Sequence, residues 1–185
     1  PARLRHTNFT RQRKLSLFVM AGMVCGIRRD VISLLNKTGS IGNLPLEAIA
    51  MIDHRNLAYG PQVVWQKYRD SIFCPVLKGD LPYQKRFFDV ALSGCLPVVI
   101  ASASSVSGQD SWWSPGAEPW YLTHPFAKRN SSEQDRDHFV DYQSFVVTVR
   151  EGHMNIVKTL EDLMKTPDTI KEMQVALAAA APMLS

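Results

Sequence analysis

Arg86 and Asp89 stand three residues apart in Lys85-Arg86-Phe87-Phe88-Asp89-Val90, a spacing that puts both side chains on one face of a helix. A guanidinium offers a planar fork of donors that fits a diphosphate. A carboxylate one turn later can accept hydrogen bonds from ribose hydroxyls, as acidic residues do in dinucleotide folds. Just upstream, Lys78-Gly79-Asp80 breaks an apolar run, and Pro82 suits a first helical turn because its missing N–H is not needed there. A helix start near Leu81–Tyr83 adds backbone donors and partial positive charge, worth about 0.3–1 kcal/mol toward an anion at an exposed end. The plain alternative is an Arg–Asp surface pair on an ordinary helix, worth about 0–1 kcal/mol.

The elements that must position these residues run from Ser71 to Ala101. Ser71-Ile72-Phe73-Cys74-Pro75-Val76-Leu77 reads as a buried strand. The helix after Pro82 turns Phe87, Val90, Ala91 and, half a turn on, Gly94 toward a sheet. Gly94 ends it where a left-handed residue is cheap, and Leu96-Pro97-Val98-Val99-Ile100 resumes as a strand that Pro97 opens. Strand, loop, helix and strand of this length make one βαβ crossover, so both strands are expected to be parallel and interior. Ligands in such sheets sit beyond the carboxyl ends of the strands, where Gly79 and Asp80 fall.

The run FCPVLKGDLPYQKRFFDVALSGCLPVVI resembles the signature of the exostosin-like glycosyltransferases through Phe73, Cys74, Gly79, Asp80, Pro82, Arg86, Phe88, Asp89, Gly94, Cys95, Pro97 and Val98. Thinner likeness extends to Leu15–Gly22 with Arg28 downstream, and to Asp141-Tyr142-Gln143-Ser144-Phe145-Val146-Val147, so it reaches from about Leu15 to Met173. The resemblance implies a Rossmann-like α/β sheet with flanking helices, the C-terminal, donor-binding domain of a GT-B type glycosyltransferase. It implies transfer of a sugar from a nucleotide diphosphate-sugar, UDP-linked, to a glycan hydroxyl, with no cofactor or metal required. Arg86 would stabilise the leaving diphosphate, Asp89 would hold the ribose, and Gly22, Arg28, Gly79 and Asp80 would complete the donor site. The implied partners are a glycan acceptor, the N-terminal half of the same enzyme and, possible in a family with cooperating pairs, a homologous subunit. The implied setting is the Golgi lumen, with a membrane anchor outside this chain. Gln84 and Lys85 stand where the family has small residues, and Val90 where it has Ala.

Elsewhere, residues 1–14 read as a basic lead-in (Arg3, Arg5, Arg11, Arg13, Lys14), a solvated cluster without the aromatics of a nucleic-acid surface. Residues 15–185 read as one α/β domain. Leu15–Ala21 is its first strand, closed by Gly22, and Ile27–Leu35 follows as a helix with apolar residues at Ile27, Val31, Leu34 and Leu35. Gly22-Met23-Val24-Cys25-Gly26 lacks the full dinucleotide glycine pattern. Ala48–Ile52 could be a short strand, and Gln62–Arg69 resembles the small helix before the family's signature strand. About 102–138 forms a long polar insertion with Trp112, Trp113 and Trp120, whose flat faces suit packing or sugar contact. Asp135-Arg136-Asp137 inside it spells a D-x-D but follows no buried strand and reads as a solvated cluster. His153–Lys165 and Thr166–Ala181 read as terminal helices.

At 185 residues, 45% hydrophobic and 21% charged with net charge +4, the chain has the composition of an ordinary soluble domain with one core. It shows no signal peptide or membrane span. Cys25, Cys74 and Cys95 follow no metal spacing. Cys74 ends one strand and Cys95 starts the next, so adjacent parallel strands would hold them at opposite edges as free buried thiols. Asn8-Phe9-Thr10, Asn36-Lys37-Thr38 and Asn130-Ser131-Ser132 are glycan acceptor patterns in a secretory lumen. Two other functions stay open: an inactive partner that keeps the fold, and a dinucleotide-dependent oxidoreductase.

Overall fold

A computed structural model describes residues 11–22, 26–51, 59–77, 85–100, 140–150 and 152–184. Strand β1 (Leu15–Gly22) is apolar and leads to helix α1 (Gly26–Thr38), which buries Val31, Ile32 and Leu35 along one side. Gly39, at φ 74°, ends that helix. A short hairpin follows, β2 (Ser40–Ile41) turning at Gly42, φ 60°, into β3 (Leu44–Met51). Pro61 starts α2 (Pro61–Asp70), which feeds β4 (Ser71–Pro75). Helix α3 (Lys85–Leu92) and β5 (Leu96–Ile100) complete the expected crossover. Strand β6 (Val147–Val149) and helices α4 (Ile156–Met164) and α5 (Pro167–Leu184) close the described chain.

The sheet has six strands in the order β2-β3-β1-β4-β5-β6. Apart from β2, which pairs antiparallel with β3, neighbours are parallel. The expected Rossmann-like α/β architecture is therefore present, with β4 and β5 parallel and interior. The chain leaves β1 toward β3, then crosses back to β4 and continues outward, so winding reverses between β1 and β4. Right-handed crossovers put α1 on one face and α2 with α3 on the other. Phe87, Val90 and Ala91 are buried as the helix pattern requires, and Gly94 adopts φ 81°. Phe87 lies 5.9 Å from Tyr142, which in turn lies 5.7 Å from Phe145, tying α3 to the turn before β6. None of the described helices is long and apolar enough to cross a membrane.

Two sequence expectations are corrected. Cys74 and Cys95 are bonded to each other as a disulfide, their Cα atoms 5.9 Å apart. The opposite-edge argument fails because the strands are short. Cys74 pairs with Pro97, so Cys95 is offset from Cys74 by only two positions, and it lies just before β5 (Leu96–Ile100), in the turn after α3 rather than within the ladder.

The basic lead-in is also not solvated to its end. Arg13 is 6% exposed, donating through Nη1 to the Arg69 carbonyl and through Nη2 to the Gly94 carbonyl at 2.7 Å. Arg11 donates to the Arg69 carbonyl through Nε at 3.2 Å and pairs with Asp70. Arg13 thus answers carbonyls at the C-terminal ends of α2 and α3, where a cation also meets the negative ends of both helix dipoles. Burial first, then the nearby Arg11 charge, pull its pKa from 12.5 to about 10, with Asp70 opposing. That desolvation offsets part of the gain, so Arg13→Ala is expected to lose about 2–3 kcal/mol rather than the sum of both bonds. The urea midpoint should fall while the dependence on denaturant stays unchanged.

Candidate functional site

Winding reverses between β1 and β4, the place where open α/β sheets hold ligands in a crevice beyond the carboxyl ends of their strands. Gly22 is the last residue of β1 and is buried, paired in register with Met51. Arg28, one turn into α1, donates from Nη1 to the Gly22 carbonyl at 3.3 Å. That bond folds its guanidinium over the end of β1 and brings positive charge to one lip. Gly22 and Arg28 are therefore brought together by this bond. Gly79 and Asp80 lie outside the described residues, as do the expected helix start at Leu81–Tyr83, the Trp-rich insertion, Asp135–Asp137 and Cys25.

The opposite lip is the start of α3. Arg86, its second residue, is half-buried, and its Nη1 is buried with no hydrogen-bond partner among the described residues. A buried guanidinium N–H left unpaired costs on the order of 1–3 kcal/mol or more. Native folds rarely leave such a donor unanswered, so a buried, unpaired guanidinium N–H marks a place where an acceptor would bind favourably. Asp89 accepts from Lys85 Nζ at 2.8 Å across one helical turn, Lys85 being 84% exposed and Asp89 25%. Such an exposed (i, i+4) pair is worth only about 0.3–0.5 kcal/mol, so it yields readily to a better partner. The helix thus presents one unsatisfied donor and one weakly held acceptor on the same face.

Tyr68 is the residue that sequence reasoning did not assign. It is the buried residue of α2 and packs edge-on against Phe18 of β1 at 5.5 Å. Burial raises its pKa above the usual tyrosine value, Arg86 opposes that rise and Asp89 adds to it. Its phenol therefore lies within the field of both α3 groups. The available signal was an aromatic among polar residues, three positions before the signature strand. Near α1, His153 Nε2 approaches Asp30 Oδ2 at 3.5 Å, a contact that joins α1 to the turn before α4. Among the described residues no cluster of three His, Cys, Asp or Glu side chains could hold a metal ion.

No protein-family model matches the chain. The Arabidopsis thaliana protein named probable xyloglucan galactosyltransferase GT13 is 40% identical to it over 55 residues. Those residues are 30% of this chain and 12% of that protein, so the match spans a small part of the relative's length. The likeness supports a glycosyltransferase relationship.

Proposed function

We propose that this chain is the donor-binding half of a GT-B type, exostosin-like glycosyltransferase that uses a UDP-sugar to glycosylate a glycan hydroxyl. The observation that carries this reading is Arg86 Nη1, a buried donor without a hydrogen-bond partner among the described residues, near the start of α3. The relative's name points to the same class, sugar transfer.

In the proposed reaction the bond from the sugar's anomeric carbon to the diphosphate oxygen breaks. A bond to the acceptor oxygen forms, and the acceptor proton passes to a base in the other half of the enzyme. Arg86 meets charge that builds on the departing diphosphate, an interaction stronger in the transition state than in the ground state. Arg28 adds positive potential from the other lip. Asp89 exchanges Lys85 for the ribose hydroxyls. Gly79 and Asp80 belong to the same donor site on the resemblance alone. The buried Cys74–Cys95 bridge fits an oxidising compartment, which favours the lumenal, Golgi setting.

One observation favours a second reading. Lys85, where the family has a small residue, occupies the carboxylate of Asp89. A partner subunit that binds nucleotide-sugar without turnover would tolerate that tie. Calorimetric titration with UDP, UDP-sugars, GDP and NAD separates the readings. Saturable uridine nucleotide binding is expected, with turnover confined to the complete enzyme. Binding without turnover in the complete enzyme marks the partner subunit. Preference for NAD overturns the glycosyltransferase reading in favour of a dinucleotide enzyme.

A further inference from the structure

The sequon Asn36-Lys37-Thr38 forms the last turn of α1, and the structure leaves Asn36 on the solvent side. The inner side of that helix is Val31, Ile32 and Leu35, all buried. Gly39, at φ 74°, then turns the chain away, its N–H donating to the Leu35 carbonyl at 3.0 Å. Thr38 Oγ1 donates to the Leu34 carbonyl at 3.0 Å, a bond on the helix's own backbone. A substituent on Asn36 therefore projects into solvent and displaces no packed side chain.

The second, independent observation is the disulfide, which bears on the compartment. A fully buried disulfide between Cys74 and Cys95 forms and persists where the chain folds under oxidising conditions. Chains that fold there meet the machinery that glycosylates Asn-X-Ser/Thr patterns. From the acceptor pattern, its exposure and that setting together, we infer that Asn36 is an N-linked glycan site. The co-reactant is a lipid pyrophosphate-linked oligosaccharide. A bond forms from Asn36 Nδ2 to the sugar's anomeric carbon, the carbon–oxygen bond to the pyrophosphate breaks, and one amide proton leaves with the pyrophosphate.

The site's position decides what the glycan does to the fold. Helix α1 starts at the carboxyl edge of the sheet beside Gly22 and runs back to the amino edge, so Asn36 lies at the end away from the crevice. A glycan there leaves the crevice open. The inference rests on the lumenal setting read from the disulfide and not on the glycosyltransferase reading.

The test is secretion of the full chain from eukaryotic cells, then enzymatic release of N-glycans in heavy-oxygen water and peptide mass spectrometry. Asn36 is expected to appear mainly as isotope-labelled aspartate in the tryptic peptide 30–37. Thr38→Ser should keep the label, Thr38→Ala should lose it, and Asn36→Gln should remove one glycan's mass from the intact protein. Unlabelled Asn36 in secreted protein with the Cys74–Cys95 bridge formed overturns the inference, whether or not Asn8 or Asn130 carries a glycan. Nucleotide titration of the glycosylated and released forms should agree whichever function the crevice serves.

Discussion

Arg86→Ala is expected to weaken uridine diphosphate binding at least tenfold, about 1.4 kcal/mol, without lowering the melting temperature. Two terms set that combination. The lost fork removes charge-assisted hydrogen bonds to the diphosphate, which are among the stronger polar contacts in proteins. In the structure, by contrast, Nη1 has no hydrogen-bond partner among the described residues. Truncation therefore breaks no hydrogen bond at that nitrogen and relieves a buried, unanswered donor. Stability should hold or rise slightly, the pattern of a residue kept for binding at some cost to the fold. Arg86→Lys should recover part of the affinity, since it restores charge but not the planar fork. A variant that melts well below wild type and binds as tightly would make Arg86 a structural residue instead.

Removing the disulfide should have the largest effect on stability. The bridge joins residues 21 apart and so closes a short loop in the unfolded chain. Loop-closure entropy for that length gives about 3 kcal/mol. In a chain of this size that is a fall in melting temperature of about 6–12 °C. Cys74→Ala with Cys95→Ala is expected to show it by calorimetry, and wild type held in reductant should approach the same value. The bridged loop carries α3, the lip that holds Arg86 and Asp89. Losing the bridge should therefore also weaken nucleotide binding by loosening that lip, through the cost of ordering it on binding. An unchanged melting temperature would mean that the bridge is incidental to the fold.

Much of the architecture was legible because local pattern and tertiary role agree. The apolar run of β1, the burial of Val31 and Leu35 on α1, and the strand–helix–strand from Ser71 to Ile100 all read correctly, whereas Ile32 is buried in place of Ile27 and Leu34, which are half-buried. Gly94 was legible because a helix that must turn sharply into a strand needs a residue that tolerates φ 81°. The misses have physical causes that local pattern does not carry. Arg13 looks solvated until Arg69 and Gly94, 56 and 81 residues later, bring their carbonyls to it. The Cys74–Cys95 bridge depends on strand length and register, which a one-residue slip would change. Strand β6, three residues long, is too short for its alternation to stand out. Among the candidate residues, Arg86 and Asp89 were readable as neighbours on one face of α3. Tyr68 was not, because only the folded chain brings its phenol into the field of residues 18 and 21 positions later.

The account's central claim is that a uridine nucleotide diphosphate binds in the crevice between the ends of β1 and β4. Chemical-shift mapping with isotope-labelled protein and UDP tests it most directly, following backbone amides and arginine Nε–Hε signals. Saturable shifts largest at Gly22, Arg28, Arg86 and Asp89 are the predicted result. No saturable shifts, or shifts gathered at the amino edge around Arg13 and Gly94, would contradict it.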